Sequence, residues 1–277
     1  MTEALIFVRM KRTFFLLSIL TGLLAACSDD SGHSGSGSDT TANVPAIPVL
    51  SYTVAASFPH DTTSFTEGYT FYKGQLWEST GEYGESKLLQ VDLNTGKPLR
   101  TVTLDSALFG EGVVLLRDTV YQLTWREHKV LVYDANTLKK IKELPLQPEG
   151  WGLTTDGKEL IATDGSSNLY FYEPGTFRLL RTQSVTENGN YVNLLNEVEW
   201  VNGFIYANVW GKDDLLKIDP ATGQIKARLD LAQLTQRAKA RYHGADVANG
   251  VVYNPDTKKF YVTGKNWPET YELQFAY

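Results

Sequence analysis

The stretch LLQVDLNTGK, residues 88–97, contains the pattern that decides the fold. A short apolar run ends at an acidic residue, and a tight turn with threonine and glycine leads into the next strand. The pattern returns as VLVYDANTLK at 130–139, LYFYEPGTFR at 169–178 and LLKIDPATGQ at 215–224. The acidic turn residues of the four copies lie 42, 39 and 46 residues apart. This spacing indicates a repeated structural unit.

A second type of hairpin alternates with the first. It begins with a Glu-Gly pair or a looser version of it, at Glu67-Gly68, Glu111-Gly112, Glu149-Gly150, Asn196-Glu197 and Asn249-Gly250. Two hairpins give four strands, and a four-stranded repeat of about 40–45 residues is typical of a propeller blade. The last unit ends early, and a strand predicted at residues 50–58 can complete it.

The repeats therefore predict an all-β fold. We expect a five-bladed β-propeller, closed by pairing of the N-terminal and C-terminal strands, with a short helical insertion at residues 231–240. A pair of β-sandwiches is the alternative architecture, which the regular spacing of the repeats disfavours.

The N-terminal residues differ in composition from the repeats. Basic residues precede an apolar run at 14–24, which is too short for a membrane span and is typical of a signal peptide. Residues 28–47 are rich in Ser, Gly, Asp and Thr, so they cannot bury a core. We therefore expect a signal peptide at 1–27, a flexible tether at 28–47 and one propeller domain at 48–277.

The apolar run ends in Leu24-Ala25-Ala26-Cys27, and Cys27 is the only cysteine of the chain. This sequence resembles the lipobox of bacterial lipoproteins. The resemblance implies cleavage before Cys27, lipidation of Cys27 and attachment to a membrane of the bacterial cell envelope. Ser28, rather than aspartate, at the next position favours the outer membrane, with the domain facing the periplasm. A plain signal peptide with a chance cysteine is the alternative.

Charge and composition argue against several classes of function. The net charge of −6 gives no electrostatic reason to bind nucleic acid. The histidines are His33, His60, His128 and His243, and neither they nor Cys27 have the spacing of zinc ligands. No Gly-x-Ser-x-Gly elbow of a serine hydrolase is present. We expect neither a metal nor another cofactor.

Strand order predicts where functional residues meet. In a propeller the innermost strand of each blade lines the central channel, and ligands usually bind where the loops enter these strands. The pairs that open the second hairpins would thus bring five residues to one mouth of the channel: Glu67, Glu111, Glu149, Asn196 and Asn249.

The tryptophans divide into two groups. Trp77 and Trp200 suit packing between blades, as most propeller aromatics do. The others are better placed to line a pocket, namely Trp125, Trp151, Trp210 and Trp267.

Short motifs over about residues 50–275 follow one another in the order of a known family. They are FTEG at 65–68, STGEYGES at 79–86, FGEG at 109–112, LTW at 123–125, EGWGL at 149–153, NE at 196–197, NVW at 208–210 and TGKNW at 263–267. Together they resemble the plant and bacterial type of glutaminyl cyclase, whose fold is a five-bladed propeller. The resemblance implies an enzyme that converts the N-terminal glutamine of peptides or proteins to pyroglutamate and releases ammonia without a metal.

The resemblance also implies roles for single residues. Glu111 matches the catalytic glutamate, which would act as general base and general acid. The substrate-binding residues would be Phe65, Glu67, Phe109, Trp125, Trp151, Asn196, Trp210 and Lys265. The family usually has glutamine at the position of Glu67, so this departure bears on substrate binding more than on the reaction.

Two other functions fit a small propeller. A non-catalytic envelope lipoprotein that binds a ligand or scaffolds partners would need neither Glu111 nor a tryptophan pocket. A propeller lactonase would hold calcium in the channel, and would need several inward-facing Asp, Asn and Glu ligands.

Overall fold

The computed structural model describes residues 46–277, in which short β-strands alternate with tight turns. Most of the strands belong to five antiparallel sheets of four strands each. The predicted signal peptide at 1–27, Cys27 and nearly all of the predicted tether at 28–47 lie outside the described residues. The first strand, β1 (Thr53–Pro59), belongs to the last sheet.

The first two blades follow the chain in simple up-and-down order. Blade I contains β2 (Thr66–Tyr72), β3 (Gln75–Thr80), β4 (Lys87–Asp92) and β5 (Lys97–Thr103). Blade II contains β6 (Gly110–Leu116), β7 (Thr119–Thr124), β8 (Lys129–Asp134) and β9 (Lys140–Pro145).

The third and fourth blades are separated by an additional hairpin. Blade III contains β10 (Leu153–Thr155), β11 (Leu160–Ala162), β12 (Asn168–Glu173) and β13 (Arg178–Ser184). The additional hairpin consists of β14 (Thr186–Glu187) and β15 (Asn190–Tyr191). Blade IV contains β16 (Leu195–Val201), β17 (Phe204–Val209), β18 (Asp214–Ile218) and β19 (Ile225–Asp230).

The fifth blade closes the ring with strands from both ends of the domain. It contains β20 (Ala248–Asn254), β21 (Lys259–Gly264), β22 (Glu269–Gln274) and β1, and β1 pairs antiparallel with β22 from Thr53–Gln274 to Pro59–Glu269. The helix α1 (Ala232–Arg241) precedes this blade. The predicted closure and the predicted helical insertion are therefore confirmed. No helix within residues 46–277 is long and apolar enough to cross a membrane.

The acidic residue that marks each repeat stabilises its own turn. Asp92, Asp134 and Asp219 each accept a hydrogen bond from the backbone N–H two residues later, at 3.0, 3.1 and 2.9 Å. Such a bond replaces a backbone bond in a tight turn. The repeat is visible in the sequence because this bond is local.

Apolar side chains fill the spaces between neighbouring blades. Five buried clusters occupy the five interfaces, one at each. Trp77 is buried between blades I and II, and Trp200 packs against the cluster between blades III and IV. The predicted packing role of these two tryptophans is thus confirmed.

The innermost strands β2, β6, β10, β16 and β20 contact one another in cyclic order around the axis. Glycine makes this close approach possible. A Cβ added to Gly68 would lie 2.5 Å from the backbone nitrogen of Val113, and one added to Gly152 would lie 2.2 Å from the carbonyl oxygen of Asn196. The glycines of the second hairpins are therefore required where five strands converge.

Candidate active site

One mouth of the central channel contains a cavity of about 460 Å³. It lies where the innermost strands begin and where the second strands end. The cavity is lined by Phe65, Glu67, Glu82, Phe109, Glu111, Trp125, Trp151, Leu194, Asn196, Trp210 and Lys265. The structure thus brings together the predicted catalytic residue and all eight predicted substrate-binding residues.

Each blade contributes one equivalent residue at this mouth. In each blade this residue comes directly before the position at which its innermost strand touches the neighbouring strand. The five residues are Glu67, Glu111, Trp151, Asn196 and Asn249. Asn249 does not line the cavity, but its side-chain amide donates to the carbonyl oxygen of Thr66 at 2.8 Å and to Glu67 Oε2 at 3.2 Å. Asn249 therefore helps to fix the position of Glu67 from outside the cavity.

The prediction that Glu149 holds the equivalent place in blade III is wrong. The tight contact with blade IV is made by Gly152, not by Gly150, so the register is shifted by two residues. Trp151 occupies the position that Glu149 was expected to take. The Glu149 side chain is 40% exposed and lies outside the cavity lining.

Lys265 and Glu67 form a buried ion pair in the cavity wall. Lys265 Nζ donates to Glu67 Oε1 at 2.5 Å and lies 4.3 Å from the centre of the Phe65 ring. The two side chains are only 5% and 3% exposed. Burial raises the pKa of Glu67 to about 7, although the charge of Lys265 acts in the opposite direction.

The Glu111 carboxylate differs from its neighbour because it is buried without a partner. It accepts no hydrogen bond from any of residues 46–277. Burial raises the pKa of Glu111 well above its usual range, and the negative charge of Glu67 raises it further, whereas Lys265 lowers it. A carboxylate that is free of hydrogen bonds and holds its proton to unusually high pH is suited to proton transfer near neutrality.

Two further polar groups of the lining also lack partners. Trp151 Nε1 and Asn196 Oδ1 are buried and form no hydrogen bond within the described part of the chain. The Trp151 ring lies directly over Gly165, where an added Cβ would be 2.6 Å from the ring. An unpaired donor and an unpaired acceptor in one cavity indicate a polar ligand, because buried polar groups are seldom left unsatisfied.

Trp125 forms a wall and is not a free donor. Its Nε1 donates to Glu149 Oε2 at 2.9 Å, and the Arg126 guanidinium lies 3.8 Å from the centre of its ring. Trp210 is 48% exposed and forms the rim of the cavity. The two residues therefore contribute mainly apolar surface.

Phenylalanine side chains complete the aromatic wall. The Phe109 ring lies between Phe65, with centroids 6.3 Å apart, and Trp125, with centroids 5.5 Å apart. Gly81 leaves room for it, since a Cβ there would be 2.3 Å from the Phe109 ring. Aromatic rings thus form much of the wall around the two carboxylates.

The prediction that Trp267 lines the pocket is wrong. Its ring is fully buried against Gly264, and its Nε1 donates to the carbonyl oxygen of Asp246 at 3.0 Å. Lys265, which directly follows β21 as Trp125 follows β7, occupies the pocket position instead. Asn266, with φ of 58°, then turns the chain so that Trp267 packs into the core.

Sequence reasoning missed two lining residues, Glu82 and Leu194. Leu194 stands two positions before Asn196, as Phe65 and Phe109 stand two positions before their glutamates. This spacing is the signal that could have found it. Glu82 lies in the turn between β3 and β4, where no spacing of this kind marks it.

Within residues 46–277, no group of three or more His, Cys, Asp or Glu side chains is arranged to hold a metal ion. The cavity instead combines a free carboxylate, a buried ion pair, an indole N–H and an amide oxygen. Such a set can bind a small polar group and move a proton to and from it.

Comparison with known proteins agrees with the fold. The profile of the family described as glutamine cyclotransferase matches residues 25–275. A glutaminyl-peptide cyclotransferase of Arabidopsis thaliana is 38% identical over 245 residues, covering 87% of this chain and 75% of that protein. The crystal structure of Myxococcus xanthus glutaminyl cyclase superposes with a TM-score of 0.77 at 33% identity, covering 82% of this chain and 98% of that one. The chain belongs to the glutamine cyclotransferase family.

Proposed function

We propose that the protein converts the N-terminal glutamine of peptides or proteins to pyroglutamate with release of ammonia, and that Glu111 is its general base and acid. The single observation that carries the proposed mechanism is the buried Glu111 carboxylate, which accepts no hydrogen bond from residues 46–277 and lies in a cavity with three tryptophans. Family membership supports the reaction itself.

The reaction first requires that the substrate glutamine is held in a reactive conformation. The substrate's α-amine nitrogen attacks the carbon of its own γ-carboxamide, so the side chain must bend back on itself. A new C–N bond closes the five-membered lactam, and the bond to the carboxamide nitrogen breaks. Glu111 takes a proton from the attacking amine and returns it to the departing nitrogen, which leaves as ammonia. Since the proton is returned, no metal or other cofactor is required in this scheme.

The other polar groups of the cavity suit the intermediate. The tetrahedral intermediate carries a negative oxygen, and the Trp151 N–H and the Lys265 ammonium are donors for such an oxygen. Asn196 Oδ1 can accept from the carboxamide N–H₂ of the substrate. The aromatic walls keep out water, whose attack would give glutamate instead of the lactam.

Glu67 acts in this scheme through Lys265. Both of its carboxylate oxygens already accept hydrogen bonds, one from Lys265 and one from Asn249. It therefore fixes the position of the lysine and sets the electrostatic potential at Glu111, and it has less capacity to hold the substrate directly.

We also propose that lipid on Cys27 attaches the protein to the bacterial cell envelope, at the outer membrane and facing the periplasm. Leu24-Ala25-Ala26-Cys27 after an apolar run supports this location. Metabolic labelling with a fatty acid tests it, because the label should enter the wild type and be absent from Cys27→Ser.

The decisive experiment measures ammonia and pyroglutamate formed from a Gln-initiated dipeptide, with and without EDTA. We expect equal turnover in both conditions, and a loss of turnover in Glu111→Gln but not in the matched control Glu149→Gln. Loss of activity on chelation would contradict the metal-free scheme. A folded wild type without any turnover would instead favour the ligand-binding propeller.

A further inference from the structure

A second cavity of about 450 Å³ adjoins the first. Its walls come from the hairpin β14–β15, the segment that follows it, and Lys212. The lining residues used below are Glu187, Asn188, Asn190, Tyr191, Asn193, Leu194 and Lys212. We refer to this second cavity as the hairpin groove.

The hairpin groove shares a wall residue with the candidate active site. Leu194 lines both cavities, and two short segments run past both. In the first segment Asn193 faces the groove and Asn196 the active site; in the second, Lys212 faces the groove and Trp210 the active site. A ligand that enters the active site can therefore extend into the groove.

The backbone at the junction is held in an unfavourable conformation. Leu194 has a φ of 68°, which is rare for a bulky side chain. Two backbone hydrogen bonds fix it: its N–H donates to the carbonyl oxygen of Gly165 at 2.8 Å, and its own carbonyl oxygen accepts from the Trp210 N–H at 2.8 Å. Such conformations cluster where a ligand is bound.

The chemistry of the groove suits a peptide. Tyr191 is 70% exposed and offers an aromatic face. The three asparagine side chains can pair with the N–H and C=O groups of an extended chain. The groove's acidic residue, Glu187, pairs with Arg228, whereas Lys212 forms no ion pair with any of residues 46–277. Lys212 is therefore the cation of the groove lining that can pair with a carboxylate of a ligand.

We propose that the hairpin groove binds the residues that follow the N-terminal glutamine, and that it favours an apolar residue next to the glutamine and an acidic residue beyond it. This inference rests on the proposed function. It makes the protein an enzyme of peptide N-termini rather than of free glutamine. Tyr191 and Lys212 are the specificity-determining residues, because they line the groove and not the glutamine pocket.

The test compares kcat/KM for Gln-Gly, Gln-Leu-Glu-Ala and Gln-Leu-Lys-Ala in the wild type, Tyr191→Ala and Lys212→Glu. Turnover of Gln-Gly by the wild type establishes the reaction independently of the groove. We expect the wild type to prefer Gln-Leu-Glu-Ala over Gln-Gly. Tyr191→Ala should lower kcat/KM for that tetrapeptide by about three- to tenfold through KM, with Gln-Gly unchanged. The wild type should have the higher kcat/KM for the glutamate peptide. Lys212→Glu should shift the ratio of kcat/KM between the two tetrapeptides by about two- to fivefold towards the lysine peptide.

Matched surface variants control for general effects. Leu99→Ala and Lys97→Glu change exposed residues of β5 in blade I, and neither should alter the ratio between substrates. Equal kcat/KM for all three peptides in an active wild type would overturn the groove but leave the proposed function intact. A folded wild type that turns over none of the three peptides would overturn both.

Discussion

Two pairs of buried glutamates lie along the central channel, and they differ in their position along it. Glu67 and Glu111 lie at the mouth with the cavity, whereas Glu197 and Glu199 lie further along β16. Burial raises the pKa of all four, to about 7 for Glu67 and to about 8 for Glu199. By burial and pKa alone, each of the four would be a candidate catalytic acid.

Hydrogen bonds separate Glu111 from the other three, since Glu67 already accepts from Lys265 and Asn249. Glu197 accepts from the backbone N–H groups of Tyr69 at 3.3 Å and Val251 at 2.8 Å, so it connects blade IV to blades I and V. Glu199 accepts from the backbone N–H of Tyr253 at 3.1 Å and again joins blades IV and V. Glu111 accepts nothing from the described protein. A raised pKa thus marks a buried carboxylate, but only a carboxylate without partners is free to exchange a proton with a ligand.

The largest effect is expected for Glu111→Gln. Loss of a general acid–base group should lower kcat by about 10²- to 10⁴-fold. The unfolding free energy should not fall, because no hydrogen bond is lost. In the wild type, the folded group keeps its proton to a higher pH than the unfolded group, so stability falls as pH rises through that interval. The amide does not titrate, and the variant's advantage in urea unfolding should grow with pH. A kcat near that of the wild type would contradict the role given to Glu111.

Glu197→Gln should show the opposite behaviour. The amide nitrogen cannot accept a hydrogen bond, so one of the two backbone N–H groups loses its partner at a cost of about 1–3 kcal/mol. Urea unfolding should detect this loss, whereas kcat per folded molecule should stay close to that of the wild type. Unchanged stability together with lost activity would place Glu197 with Glu111 and end the distinction between Glu111 and the hydrogen-bonded glutamates.

The ion pair at the mouth should shift the pH profile in opposite directions when either partner is removed. Glu67→Gln removes a negative charge that raises the pKa of Glu111, so the acid limb of kcat/KM should move to lower pH. Lys265→Met removes a positive charge that lowers this pKa, so the limb should move to higher pH. Profiles measured over the acid range decide between the two directions. Shifts of the same sign in both variants would mean that the limb does not report Glu111.

The sequence revealed those parts of the fold and the site that depend on local chemistry. The turn bonds of Asp92, Asp134 and Asp219 recur in blades I, II and IV, so the repeat that gives the number and order of the blades was predictable. Trp210 was predicted in the same way, because it belongs to a short motif at the end of a second strand, whereas the place of Lys265 was implied by the family resemblance.

Other features depend on contacts between distant segments. Glu197 and its partner Tyr69 lie 128 positions apart, and no local pattern relates them. In blade III the pair Glu149-Gly150 has the sequence of the repeat but lies two residues before the equivalent position. Only the approach of Gly152 to blade IV reveals the true register. The positive φ of Leu194 likewise follows from bonds to Gly165 and Trp210, so the sequence around it did not predict the junction of the two cavities.

Glu149 provides the smallest and last test, since it is a hydrogen-bonded carboxylate that remains 40% exposed. Glu149→Ala removes the acceptor of the Trp125 N–H, but water can replace it, so kcat/KM should fall by no more than about fivefold, or ~1 kcal/mol. Glu149→Gln keeps an acceptor oxygen and should match the wild type. Steady-state kinetics on one Gln-initiated dipeptide measure both variants. A loss in Glu149→Ala as large as that in Glu111→Gln would mean that the orientation of Trp125, rather than proton transfer by a free carboxylate, limits the reaction.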